Sequence, residues 1–147
     1  FNVEGTVLLK YNLITATGTL FGLGVYDLGV FPRLKNNVSV IWGKGNIGAG
    51  ANVRFIGGFK ECADDNCAKA DDGTPALSRE VDANITSDLF LNYNWKNIVG
   101  RSTVSVGVNN VLDQDPPFVY AGFLANSDAS TYNYMGRFFY LRLGQTF

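Results

Sequence analysis

The chain has 147 residues, the length of one ordinary domain, and its 12 Lys+Arg against 13 Asp+Glu give a net charge of −1. That balance leaves no basic surplus for phosphate contacts and excludes a dedicated nucleic-acid binder. With no histidine, Ser-His-Asp and Cys-His catalysis and His-ligated zinc or haem are excluded too. No apolar run approaches the ~18 residues of a membrane-spanning helix. The start at Phe1, with neither an initiator Met nor a signal peptide, reads as a processed N-terminus or a piece of a longer protein. Mean hydropathy is near zero (+0.03) despite 14% aromatic residues and 17 glycines, and residue order explains why.

Apolar residues recur with period two. From the start, Phe1, Val3, Val7, Leu9, Tyr11 and Leu13 alternate with Asn2, Glu4, Thr6, Lys10 and Asn12, which predicts a strand over 1–14. Val38, Val40 and Trp42 place a second strand over 35–43, and Ile47, Ala49, Ala51, Val53 and Phe55 a third over 46–59. Val81 to Trp95 predicts a long fourth over 78–95, with Asp82, Asn84, Thr86, Asp88, Asn92 and Asn94 on its other side. Val104, Val106 and Val108 predict a fifth over 101–112. Phe139, Leu141, Leu143 and Phe147 predict the last over 136–147.

Short turns fall at 43–46 and 96–100, whereas long connections cover 14–34, 58–78 and 113–135. The polar sides are rich in Gly, Asn, Ser and Thr with sparse charges, which suits a wet lumen better than bulk solvent. Aromatics gather near strand ends at Trp42, Tyr93, Trp95 and Phe147, as at a membrane interface. These features predict an all-β, antiparallel transmembrane barrel segment with long extracellular loops. A soluble lipid-binding barrel would alternate as well, but with its apolar side inward.

The C-terminal half adds a resemblance. Val104-Ser-Val-Gly-Val-Asn-Asn-Val-Leu-Asp-Gln-Asp-Pro-Pro117, then Tyr134-Met-Gly-Arg137 and a last strand ending on Phe147, resemble the closing segments of TonB-dependent outer-membrane receptors. Phe31-Pro-Arg-Leu-Lys35 and Arg54-Phe-Ile-Gly-Gly58 are similar to the hairpin before them. Gln145 departs from the pattern, standing where an apolar residue is usual. The resemblance implies that residues 1–147 are the C-terminal portion of a barrel of about 22 strands. It implies a bacterial outer-membrane location and energy-coupled import of a scarce nutrient: a ferric siderophore, cobalamin or a carbohydrate.

The implied partners are outer-membrane lipid, the rest of the barrel with its plug domain, and a TonB-type energy-coupling protein acting through the missing N-terminal part. Barrel-assembly machinery would read Phe147 as a terminal signal. No nucleic acid, cofactor or metal is expected, and no enzymatic activity. The alternative function is a structural or assembly-related barrel fragment without transport of its own. Six strands alone would leave unpaired edges, costing several kcal/mol per backbone group in hydrocarbon.

Among candidate site residues, Cys62 and Cys67 read as a small disulfide in an exposed loop rather than half of a metal or redox site. Asp64, Asp65, Asp71 and Asp72 read as a solvated acidic loop, with calcium binding as the alternative. Arg54, Asp88, Arg101 and Arg142, with Glu4 and Lys10, are expected in the lumen. There they pair with one another or the plug, or contact substrate. Tyr132, Tyr134 and Phe123 are read as loop packing, with ligand stacking as the alternative.

Overall fold

The structure is a computed structural model that describes residues 1–16, 18–26, 29–62, 77–122 and 125–147. Its described residues hold ten strands and no helix: β1 (Asn2–Val7), β2 (Asn12–Thr15), β3 (Gly18–Phe21), β4 (Leu34–Lys44), β5 (Ile47–Ile56), β6 (Phe59–Cys62), β7 (Ser78–Val81), β8 (Asn84–Asn97), β9 (Gly100–Asn109) and β10 (Phe138–Thr146). Six form one antiparallel sheet in the order β1-β4-β5-β8-β9-β10, which is also their order along the chain. The sheet is open, with β1 and β10 at its edges. The remaining strands form two small hairpins, β2–β3 and β6–β7.

Tight turns join the sheet strands at one end. Gly45, at φ 60°, begins the two-residue turn between β4 and β5. Between β8 and β9 the Asn97 side chain accepts the Val99 amide at 3.0 Å and closes the turn locally. At the other end three long excursions leave the sheet: residues 8–33, 57–83 and 110–137. The expected loops at 14–34 and 58–78 thus contain regular hairpins. The strands expected over 1–14, 46–59 and 78–95 each divide at the boundary between sheet and excursion.

The buried core lies in these excursions rather than on the sheet. Val30, Phe59, Val81, Val119 and Tyr132 pack together with Ile56 at the end of β5, and Val119 is fully enclosed. Each excursion contributes to this cluster, which we call the cap. Tyr11 and Phe31 stack at 4.1 Å within the first excursion. Val25 of the first excursion bridges Lys60 of the second, through Tyr26 N–H to Lys60 O and Lys60 N–H to Gly24 O, both 2.8 Å.

The sheet itself has two unlike faces, of which the apolar one is uncovered by the described residues. Register puts Val38, Val53, Val40, Ala51, Leu89 and Phe139 on the same side as Trp42, Ala49, Leu91, Val106 and Leu141. Their large side chains are exposed, with Leu91 at 49% and Leu141 at 65%. The other face carries Asn, Ser, Thr and the sparse charges. Ser39 donates to Asn52 at 3.0 Å and Thr103 to Asn94 at 2.7 Å across neighbouring strands. One polar-face rung differs: Phe90 lies over Gly50 and Tyr140 over Gly107, filling the space where a Cβ would stand. Rings laid on glycine let large aromatics fit a face otherwise built from small side chains.

Candidate functional site

The polar face meets the cap at Arg54. Across the sheet, Glu4, Asn37, Arg54 and Thr86 occupy one rung on adjacent strands. Above this rung the third excursion passes over the sheet, leaving a cleft on either side of Arg54. The larger, about 460 Å³, is lined by Glu4, Lys35, Asn37 and Arg54 below, with Ser130 and Thr131 above. The smaller, about 110 Å³, has Arg54, Thr86, Asp88 and Asn109 facing Asn133 and Met135.

Lys35 and Arg54 make no ion pair among the described residues, whose pairs are Arg79–Glu61 and Arg137–Asp113. Glu4 accepts from Asn2 Nδ2 at 3.0 Å. The Asn37 Oδ1 is enclosed without a hydrogen-bond partner. The larger cleft therefore offers two cationic donors and two cap hydroxyl residues. Such a site suits a ligand with oxygen acceptors, held by hydrogen bonds and charge.

The cap side of both clefts is fixed by Asp128. Its buried carboxylate accepts the Ser130 amide at 2.8 Å, the Ser130 hydroxyl at 2.6 Å and the Val30 amide at 3.0 Å. Burial alone would raise this carboxyl, but bonds from Ser130, Val30 and Thr131 outweigh it and hold the group below the ordinary carboxylate range. Tyr132 beside it is pushed well above the usual phenol range by burial and by the Asp128 charge.

A second anchor joins the other excursions. Glu61 and Arg79 are directly opposed in the β6–β7 hairpin and pair at 2.6 Å. Glu61 also accepts the Ala121 amide at 2.6 Å, and Arg79 donates to Phe118 O at 2.7 Å while its guanidinium lies 4.8 Å from the centre of the Tyr120 ring.

The residues singled out from sequence do not converge on one site. Arg54, Asp88, Arg101 and Arg142 share the polar face by register, but they are spread along it. Arg54 and Asp88 lie near the cap. Asp88 accepts the Asn110 amide at 2.8 Å and so braces the exit from β9. Arg142 stands mid-sheet, 6.0 Å from the Tyr140 ring centre, and Arg101 lies opposite Lys96 near the short turns.

Tyr132 is in the cap core, Tyr134 is partly exposed, and Phe123 lies outside the described residues. Cys62 ends β6; Cys67 and the acidic residues Asp64, Asp65, Asp71 and Asp72 lie outside the described residues. Among the described residues no cluster of three metal-ligating side chains occurs. Phe147 is exposed at the chain's last position.

Gln145, the departure in the last strand, has partners. Ser102 donates to its side-chain oxygen, and Asn97 donates to Ser102 at 2.6 Å. Sequence reading passed over Asp128, Glu61 and Arg79. Asp128-Ala129-Ser130 carries an Asx-turn signal, but the Glu61–Arg79 pair depends on a hairpin register that no local pattern marks.

Compared with protein-family models, curated proteins and solved structures, the chain matches none.

Proposed function

We propose that this chain is the C-terminal wall of a bacterial outer-membrane barrel of the TonB-dependent receptor type. Such a receptor imports a scarce nutrient (a ferric siderophore, cobalamin or a carbohydrate) by energy-coupled transport. The observation that carries the proposal is the pairing of an exposed apolar face with a hydrogen-bonded polar face on one six-stranded meander. In water, so broad an uncovered apolar surface would drive association. In a bilayer it is the surface that faces lipid.

Dimensions support the reading. Ten residue steps separate Ile85 from Trp95 on the apolar face of β8. At ~3.3 Å per residue they span about 33 Å along the strand, or about 23 Å across a bilayer at a tilt of ~45°. Trp42, Tyr93 and Trp95 gather near the short turns, with the Tyr93 and Trp95 rings stacked at 5.9 Å. That location suits an interfacial aromatic belt. The open edges at β1 and β10 would pair with further strands of the same barrel, and Cys62 with Cys67 would staple an external loop.

The polar face and the Arg54 clefts would line the lumen and its outer mouth. No reaction is assigned, because transport rests on differential binding and on plug movement rather than on a catalytic group.

The test is localisation joined to uptake. Cells expressing the intact source protein should hold it in the outer-membrane fraction. They should accumulate at least one labelled nutrient from a panel of ferric chelates, cobalamin and oligosaccharides, and an uncoupler should abolish that accumulation. Outer-membrane residence without energy-dependent uptake would favour the structural or assembly role. Recovery as a detergent-free monomer would overturn the membrane reading.

A further inference from the structure

Three features invite explanation: a trough on the exposed apolar face lined by Ala49, Ala51 and Leu91, the cationic cleft at Arg54, and the buried carboxylates of the cap. The first rests on a run of small residues in β5 and has nothing that indicates an occupant. In the second, the enclosed Asn37 oxygen is shut away from the space a ligand would fill. The third has partners, directions and consequences that can be followed residue by residue.

Asp128 and Glu61 are both buried, and each takes a main-chain N–H from an excursion other than its own. Asp128 belongs to the third excursion and holds Val30 of the first, while Glu61 belongs to the second and holds Ala121 of the third. The Val25–Lys60 bridge joins the first to the second. The ties thus form a closed ring around the core of Val30, Phe59, Val81, Val119 and Tyr132. A carboxylate that accepts main-chain N–H groups in a buried setting makes stronger hydrogen bonds than neutral groups do. Removing Asp128 leaves the buried Val30 N–H without its partner, and removing Glu61 frees the Ala121 N–H at the surface of the cap.

We propose that the described parts of the three excursions move as one latched cap rather than as three independent loops, with Asp128 and Glu61 as the latches. Ser130 and Thr131 over one cleft, and Asn133 and Met135 over the other, follow directly after Asp128 in the chain. Access to both sides of Arg54 is therefore set by a single movement. A ligand that displaced the third excursion would have to carry the Val30 and Glu61 segments with it or break the ring. This inference concerns coupling within the cap and holds whether the sheet faces lipid or water.

Amide hydrogen exchange on the full protein, in the detergent or vesicles that keep it folded, tests the proposal. In Asp128→Ala, exchange should accelerate at least tenfold at Val30, and also at Ala121, Tyr26 and Lys60, which Asp128 does not touch. Glu61→Ala should reproduce the pattern from the other side, reaching Val30. Amides of β8 and β9 should keep their protection in both variants and so report an intact sheet. If each variant loosens only its own partner, Val30 alone or Ala121 alone, the latched cap is wrong. Should Asp128→Ala lose sheet protection as well, Glu61→Ala decides by the same criterion.

Discussion

A charge placed on the exposed apolar face separates a lipid-facing sheet from a water-facing one by the size and shape of the response. Leu89 and Leu91 flank the midpoint between Ile85 and Trp95, and Leu91 lies between Ala49 and Val106 on the neighbouring strands. Four residue steps separate Leu91 from the Trp95 level, about 13 Å along a strand and about 9 Å in depth at a ~45° tilt. Leu91→Arg should therefore cost about 2–4 kcal/mol, Leu89→Arg a similar amount, and Ile85→Arg or Tyr93→Arg about 0–1 kcal/mol nearer the interfaces. The assay is reversible denaturant unfolding of the full protein in lipid vesicles, with Asn92→Arg on the polar face as the reference. A response within about 0.5 kcal/mol at all positions is what a water-exposed surface produces, and it would refute the lipid-facing assignment.

Three further outcomes follow from particular contacts. Asp128 has its folded carboxyl below the ordinary range, so its contribution to cap stability is complete above the unfolded value of ~3.9. It should be lost as pH falls from there through the lower folded value, so protection of the Val30 amide relative to its intrinsic exchange should fall over that window in wild type, whereas in Asp128→Asn it should be weaker at neutral pH and unchanged across the window. Gly107→Ala should cost about 1–3 kcal/mol because the new methyl overlaps the Tyr140 ring, and Tyr140→Ala in the same chain should recover most of it in a double-mutant cycle. Gly100 sits at φ 131° with the Thr146 carbonyl where its Cβ would be. Gly100→Ala should therefore destabilise by about 2 kcal/mol or more and loosen β10 first, read as faster exchange in residues 138–146.

How far the fold is legible in the sequence depends on which face a residue joins. Every strand of the main sheet overlaps a stretch of period-two alternation, because a strand with one apolar and one polar side must alternate to keep its faces apart. The alternation does not reveal where a strand leaves the sheet. Val81 and Ile85 share one parity in sequence, yet Val81 is buried in the cap while Ile85 stands exposed on the apolar face of the sheet. Tyr11 likewise continues the Val3–Val7 pattern but stacks on Phe31 in the first excursion. At the end of β5, Gly57 and Gly58 permit the change of direction, since a Cβ on Gly58 would meet the Val81 carbonyl. Glycines elsewhere in β5 carry no such bend, so composition alone does not distinguish them.

The same division accounts for the site. Arg54 and Asp88 are visible from sequence as lone charges on a polar face, because a charge among Asn, Gly and Ser stands out. The residues that shape the clefts around Arg54 act through contacts 98 residues apart, as between Val30 and Asp128, or 60 apart, as between Glu61 and Ala121. Those contacts exist because three excursions, each too short to bury a core alone, converge on one end of the sheet and pool their few large apolar residues. The apolar residues thus serve two destinations, with Val119 and Phe59 filling the cap while Leu91, Val106 and Leu141 stay on an uncovered sheet face. A mean hydropathy near zero does not mark a weakly apolar protein here. It averages a cap that buries its own core with a sheet whose apolar face stays exposed among the described residues.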